Sequence, residues 1–342
     1  MPSDREQDDL AERLNDEVRR RVQVMPIPPK TFDALGASDE QLRYFGFPPK
    51  PKDEAALVIW KNIVSATRVP LGVWLPIGLP TYQINFNRFA GSGHQETSLN
   101  WSGSAINAEV EAGGSFTQIY GQWQLPAASL PAAADPQEHY RCSIWIGLDG
   151  HAATSMSMPQ VGTTVSMRVG DAAPTYEAWH QWWARGYNFM PVPFPAATLD
   201  LHENDLVGCS LHVVDATHVC VCIANLTRNL GPPCFTVEAP TAGSETFPVE
   251  GLSAEWIAER PTDLKDSTKL HPLPHFDRVT FGETRAQTTS PVIVRGLSPT
   301  RLIRMIERHP QHSAVLSRSV LDSAWPHDGF DVGPGVEKDM GG

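Results

Sequence analysis

Between residues 98 and 285, apolar and polar side chains alternate in short runs broken by Gly, Pro and Asp, the period-two signature of half-buried β-strands. The clearest run spans 139–149. Its even positions, Tyr140, Cys142, Ile144, Ile146 and Leu148, are mostly apolar, and its odd positions carry Arg141, Ser143, Trp145 and Asp149. Side chains alternate across a strand, so Trp145 and Asp149 are expected on one face and the aliphatic residues on the other. A second run, 175–183, puts Glu177, Trp179, Gln181 and Trp183 on one side. Indoles and polar groups sharing a face suggest a groove. Residues 206–214 and 218–224, joined through Asp215-Ala-Thr217, read as a hairpin, with Cys220 and Cys222 on one face of its second strand and badly placed to bond each other.

The two ends follow a different period. Ser3 and Glu6 form a capping box ahead of Leu10, Leu14, Val18 and Val22, which recur every four residues as one stripe. Ser38 and Gln41 repeat that signal before Leu42 and Tyr44, with Gly46 placed to end the turn. A third helix is predicted over 53–66, holding Leu57, Val58, Trp60 and Ile63, and Gly91-Ser-Gly-His94 reads as a linker. Beyond Ala286, Ser298-Pro299 is a good cap with proline at the first helical position, so Leu302, Ile303, Met305 and Ile306 are expected in a short helix. The Gly- and Asp-rich end from His327 reads as loose. The expected organisation is a helical N-terminal extension over 1–95, a β-domain over 96–286 and a C-terminal extension over 287–342, with no internal repeat.

Composition narrows the class. Thirty Pro and 26 Gly in 342 residues disfavour a helical bundle, and 41% hydrophobic against 19% charged residues describes a globular chain. A net charge of −12 lacks the cationic footprint needed for nucleic acid or an anionic membrane surface, so neither partner is expected. The longest apolar run, 69–80, is short and broken by proline, so no transmembrane helix is expected. The first two dozen residues are densely charged and do not read as a secretory signal; the chain reads as cytoplasmic or exported without a signal. Five cysteines at no metal-ligand spacing read mostly as buried thiols rather than a disulfide framework. Glycine-rich phosphate loop, nucleophile elbow, paired helical His and zinc spacing are all missing.

Several motifs in order resemble the glutamic peptidases, the eqolisin family. They are Asn100-Trp-Ser-Gly103, Gly121-Gln-Trp-Gln-Leu-Pro126, Ile144-Trp-Ile-Gly-Leu-Asp-Gly150, Met158-Pro-Gln-Val-Gly162, Tyr176-Glu-Ala-Trp-His-Gln-Trp182 and Ser253-Ala-Glu-Trp-Ile-Ala-Glu-Arg-Pro261. Each is weak alone; their joint order carries the resemblance. It implies an all-β fold, an antiparallel β-sandwich of the concanavalin-like jelly-roll kind, with a substrate groove across one sheet. It also implies an acid endopeptidase acting on polypeptides, needing no metal or organic cofactor and insensitive to pepstatin-type inhibitors.

By the same resemblance the catalytic pair falls on Gln160 and Glu259. An ionised Glu can take a proton from the attacking water while an amide N–H donates to the developing oxyanion. Trp101, Trp145, Asp149, Glu177, Trp179 and Gln181 match substrate-groove positions, with Trp179 as a wall and Glu177 expected to orient the Gln160 amide. The chain has Gln181 where fungal members place a carboxylate and Glu177 where they place Asp. Fewer acids in the groove shift the expected working pH upward. Residues 1–95 are a candidate prosegment that would cover the groove and inhibit in cis. Two other readings suit an indole-lined sandwich: a lectin-like binding module, and a glycosidase using Glu177 and Glu259.

Overall fold

The computed structural model describes residues 23–24, 29, 31–45, 50, 57, 95–108, 115–151, 154–187, 189–232, 234–263, 266, 269–276, 278–288, 294–295, 301–308, 313–321 and 330–334. The principal strands begin with β1 (Gln23–Val24), β2 (Gln95–Ser98), β3 (Trp101–Asn107), β4 (Phe116–Gln124), β5 (Tyr140–Leu148), β6 (Ser157–Met167) and β7 (Thr175–Ala184). They continue with β8 (Leu206–Asp215), β9 (His218–Asn225), β10 (Phe235–Glu238), β11 (Ser253–Glu259) and β12 (Val279–Thr288). The last three are β13 (Arg301–Arg308), β14 (Ser313–Leu321) and β15 (Phe330–Pro334).

Antiparallel pairing links these strands in the spatial order β7-β6-β5-β11-β3-β13-β14-β15-β12-β4-β8-β9-β10-β1, with β2 running parallel to β13. The ribbon folds over on itself into two leaves, as the sequence alternation implies. One leaf holds β3, β11, β5, β6 and β7; the other holds β12, β4, β8, β9 and β10. Their inner faces meet in the main core, where Ile144, Ile146 and Val161 of the first leaf join Trp123, Leu211 and Ile223 of the second. Each such side chain contributes about 1.5–3 kcal/mol on burial. Two indoles cross between the leaves. Trp123 Nε1 donates to Thr163 Oγ1 at 3.0 Å, and Trp256 Nε1 donates to the Tyr120 carbonyl at 2.9 Å, so neither buried N–H is left unpaired.

The hairpin forms as expected, with Cys209 opposite Ile223 and a bulge between Val213 and Asp215. Cys142 and Cys209 are buried thiols. Cys222 departs from the expected pattern: it is bonded to Cys234, with Cα atoms 4.6 Å apart. The pairing follows from register, because Val221 lies opposite Phe235 on β10 and the next position out faces Cys234.

The expected C-terminal helix is a strand. Residues 301–303 pair with the edge of β3, Ile303 opposite Gly103, residues 305–308 pair with β14, and β14 and β15 continue the ladder to β12. The run Leu302, Ile303, Met305, Ile306 fits a helical period, but Ile303 and Met305 alone also fit period two. The open edge of β3 selects the second, burying both side chains. The Ser319 hydroxyl donates to the Ile303 carbonyl at 2.8 Å and fixes the strand. The strand edge of the β-domain therefore runs past 286.

At the other end, α1 (Asp39–Tyr44) forms where the capping box predicts. The Ser38 N–H donates to Gln41 Oε1 at 2.9 Å, and the Gln41 N–H donates back to Ser38 Oγ at 3.2 Å. Leu42 and Ala34 pack with Tyr120, Cys220 and Ala224 on the outer face of the second leaf. Gln23–Val24 pairs with β10 on that leaf. The helices expected over 3–22 and 53–66 lie outside the described residues, apart from Leu57, which packs beside the same cluster.

Leu42 has no exposed surface, so Leu42→Ala is expected to lower stability by about 2–4 kcal/mol in chemical denaturation. An unchanged midpoint would mean that α1 is not docked on the β4–β9 face.

Candidate active site

The outer face of the first leaf carries the indoles. Trp145, Trp179, Met158, Ile257, Ala105 and Ile303 form an apolar cluster there, with Trp101 and Trp183 packed against it. The even positions of β5 and β7 point to the main core instead, so the alternation read from 139–149 and 175–183 holds strand by strand. The strand at 301–308 thus supplies part of the groove floor through Ile303.

Register places Trp145 opposite Ile257 of β11 on one side and Gly162 of β6 on the other. Two glycines make room for it, one beside its Cβ and one beside its ring. A Cβ on Gly162 would lie 2.4 Å from Trp145 Cβ, and a Cβ on Gly147 would lie 2.9 Å from Trp145 Cζ3. Gly147 is the register partner of Gln160, whereas the opposite edge of the indole reaches Glu259: Trp145 Nε1 donates to Glu259 Oε2 at 2.8 Å. The indole therefore spans the floor between the two predicted catalytic side chains. No hydrogen bond joins those two directly; Glu259 and Gln160 lie diagonally, two strands and four residues apart in register.

The other Glu259 oxygen, Oε1, accepts from Asn100 Nδ2 at 3.1 Å. Asn100 is set by Ser98, whose hydroxyl accepts from the N–H groups of residues 100 and 101 and donates to Asn100 Oδ1. That leaves the Asn100 amide nitrogen facing the carboxylate. The neighbouring Arg260 does not neutralise Glu259: its Nε donates to the His271 carbonyl and its Nη1 lies 3.6 Å from Glu307. Glu259 keeps a partial opening to solvent. Burial of its carboxyl group nevertheless raises its pKa from 4.5 to about 7, against the opposing pull of the Trp145, Trp101 and Asn100 donors. The Trp101 N–H acts as a nearby dipole, since it lies outside hydrogen-bonding geometry. Its ring meets Trp145 edge-on at 5.1 Å.

Gln160 is almost fully buried, and its Nε2 donates to Gln181 Oε1 at 2.7 Å. Gln181 lies directly across the β6–β7 ladder from it. Glu177, expected to hold Gln160, sits four residues away opposite Thr164; its side chain is mostly exposed and lies 3.8 Å from Arg141. Trp179 stays on the groove face, its Nε1 donating to Thr164 Oγ1 at 2.8 Å. Asp149 leaves that face, because β5 ends at Leu148 and Asp149 turns to φ 76°. Its fully buried carboxylate accepts the N–H groups of Glu250 (2.7 Å) and Leu252 (2.5 Å), tying down the turn that feeds β11. Among the described residues no three His, Cys, Asp or Glu side chains gather as a metal site, and no helix is long and apolar enough to cross a membrane.

Residues 99–324 match the Peptidase A4 family. The chain belongs to that family. Among solved structures, scytalido-glutamic peptidase with a transition state analog inhibitor aligns at 18% identity and TM-score 0.53, covering 69% of this chain and 98% of that one. SCP-B, a member of the eqolisin family in complex with the tripeptide Ala-Ile-His, aligns at 16% identity and TM-score 0.50 with the same coverage. These likenesses establish a shared fold. No curated protein matches.

In this A4 peptidase two site residues escaped the sequence reading of roles. Asn100 stood inside a quoted motif, but only the pairing of Trp101 with Glu259 shows that it borders the carboxylate. Glu255, four before Glu259 on the same strand face, is fully buried; its Oε1 accepts the His151 N–H at 2.8 Å, and burial pushes its pKa to about 8. Burial likewise lifts Asp149 to about 6. Folding thus tightens proton binding at Asp149, Glu255 and Glu259. These three carboxyls hold more protons folded than unfolded between about pH 4 and pH 8, so their own contribution to stability falls as pH rises through that window. Burial of His139, His180 and His212 lowers their pKa values and works in the opposite direction below about pH 6.5. The test is therefore differential: the melting-temperature advantage of the parent over Glu255→Gln is expected to shrink from pH 5 to pH 8, and a difference that grows over that range would contradict the shift at Glu255.

Proposed function

We propose that this A4-family glutamic peptidase cleaves internal peptide bonds with Glu259 as proton carrier and Gln160 as oxyanion donor. The observation that carries the reading is the Trp145 indole, which binds Glu259 at one edge and packs against the Gln160 register partner at the other. Ionised Glu259 removes a proton from water, and the hydroxide adds to the scissile carbonyl carbon. An amide carries two N–H donors, and Gln160 commits one to Gln181; the second is available for the tetrahedral oxyanion. As the C–N bond breaks, Glu259 passes its proton to the leaving amine. The proton taken from water is the proton delivered, so the cycle closes without metal or cofactor.

One carrier implies one titration. The raised pKa of Glu259 means that the free enzyme lacks its base below about pH 7. The working range is therefore near neutrality or above, rather than the acidic range the family resemblance implies. The glycosidase reading is disfavoured by register: Glu259, Ser143, Thr164 and Glu177 lie in line across three strand spacings, roughly 14 Å, beyond the carboxyl separations such chemistry uses. Within the N-terminal extension, residues 31–45 and Leu57 pack on the leaf opposite the groove, which favours a permanent element over a removable cover.

With a quenched peptide library, kcat/KM is expected to climb about tenfold per pH unit up to about pH 7 and then level off. Glu259→Gln and Gln160→Ala should each lose at least about 100-fold in kcat. Trp145→Phe removes a donor that favours the charged form, so its acid limb should move to higher pH. Parental turnover by Glu259→Gln would end this reading.

A further inference from the structure

The amide of Gln160 has a defined orientation, and its cause lies outside the catalytic pair. Gln181 Nε2 donates to the backbone carbonyl of Phe189 at 2.5 Å. A carbonyl oxygen only accepts, so Gln181 must turn its NH2 toward residue 189 and present Oε1 toward β6. Only the NH2 of Gln160 can meet that oxygen, as the 2.7 Å contact records. The relay from residue 189 through Gln181 thus removes the O/N ambiguity of the Gln160 amide. It leaves Gln160 with one spare N–H and with an Oε1 that has no partner among the described residues.

We infer that Gln181 is a positioning residue for Gln160 and that, being an amide, it holds the oxyanion donor independently of pH. The inference rests on the dyad reading above. A carboxyl group at 181 could copy the donor-and-acceptor pattern only when protonated, offering O–H to Phe189 and its other oxygen to Gln160. Once ionised it would set a negative oxygen against the Phe189 carbonyl.

The ionisable groups around the relay are engaged elsewhere. Beside Gln181, Arg185 Nε donates to the Ser155 carbonyl while its guanidinium lies 5.9 Å from the Trp183 ring, and Tyr187 lies 3.4 Å from Glu245. Across β5, Glu255 binds the His151 N–H, and His151 itself pairs with Glu96 at 2.7 Å. Glu177 is paired with Arg141, and His180 lies on the opposite face of β7 against Phe194 and Phe235.

The test compares the pH profiles of kcat and KM for the parent, Gln181→Glu, Gln181→Met and Gln160→Ala on one quenched peptide. The parent should show a single rising limb. Gln181→Glu should turn it into a bell, with near-parental rates where Glu at 181 is protonated and about tenfold loss per pH unit above its pKa. Gln181→Met should lower kcat by about 10–100-fold with KM within about twofold and the limb unmoved. A parental single-limb profile in the near-isosteric Gln181→Glu protein would overturn the inference even if Gln181→Met fails to fold. Parental kcat in a folded Gln181→Met would do the same. If Gln160→Ala also keeps parental kcat, the dyad reading itself fails; if it loses activity while both Gln181 variants match the parent, only the positioning role fails.

Discussion

The hydrogen bond from Trp145 Nε1 to Glu259 is the contact on which the site depends. It needs a flat, wide side chain lying along the floor of the groove, and that in turn needs glycine at 147, because a Cβ there would collide with the indole, while glycine at 162 clears the Trp145 Cβ and the Ile144 carbonyl. The same bond works against the burial that lifts the carboxyl pKa. Burial favours the proton, and the Trp145 and Asn100 donors favour the charge. The balance leaves Glu259 near neutrality, where a single group can both accept and return a proton. An exposed carboxylate would hold a proton too weakly to deliver it, and a buried one without donors would rarely give it up.

The rest of the fold fixes the endpoints of that contact. Glu259 stands at the end of β11, whose start is pinned by the buried Asp149 carboxylate on the turn at 250–252. The β3 edge beside it is paired with the start of β13, which adds Ile303 to the floor and ties off Arg260 through Glu307. Gln160 is held from the far side through Gln181. The ladder that runs through β13, β14 and β15 to the second leaf makes the groove sheet continuous with the sheet that α1 covers. The groove and residues 31–45 therefore occupy opposite outer faces of one sandwich.

Much of this was legible in the chain, for local reasons. Alternation over 139–149 and 175–183 sorted Ile144 and Ile146 from Trp145, and Tyr176 and Trp182 from Trp179, because period two is a property of the backbone alone. The Ser38/Gln41 box placed α1 for the same kind of reason. What failed to show depended on register or on a neighbour. Residues 177, 179 and 181 share a face, and only the β6–β7 ladder decides that Gln181, not Glu177, meets Gln160. Cys222 finds Cys234 only through the β9–β10 pairing. Residues 302–306 fit two periods, and the free edge of β3 chose between them. Asp149 kept the alternation on paper but sits one residue past the end of its strand.

The proposed role of Glu259 as proton carrier requires a near-neutral carboxyl group in the groove. A carboxyl-selective infrared or 13C titration of the intact protein reads it, with the Glu259 signal assigned by its loss in Glu259→Gln. The expected midpoint is about pH 7. A midpoint at or below the ordinary 4.5 would mean an acid site of the usual kind and rule that role out near neutrality.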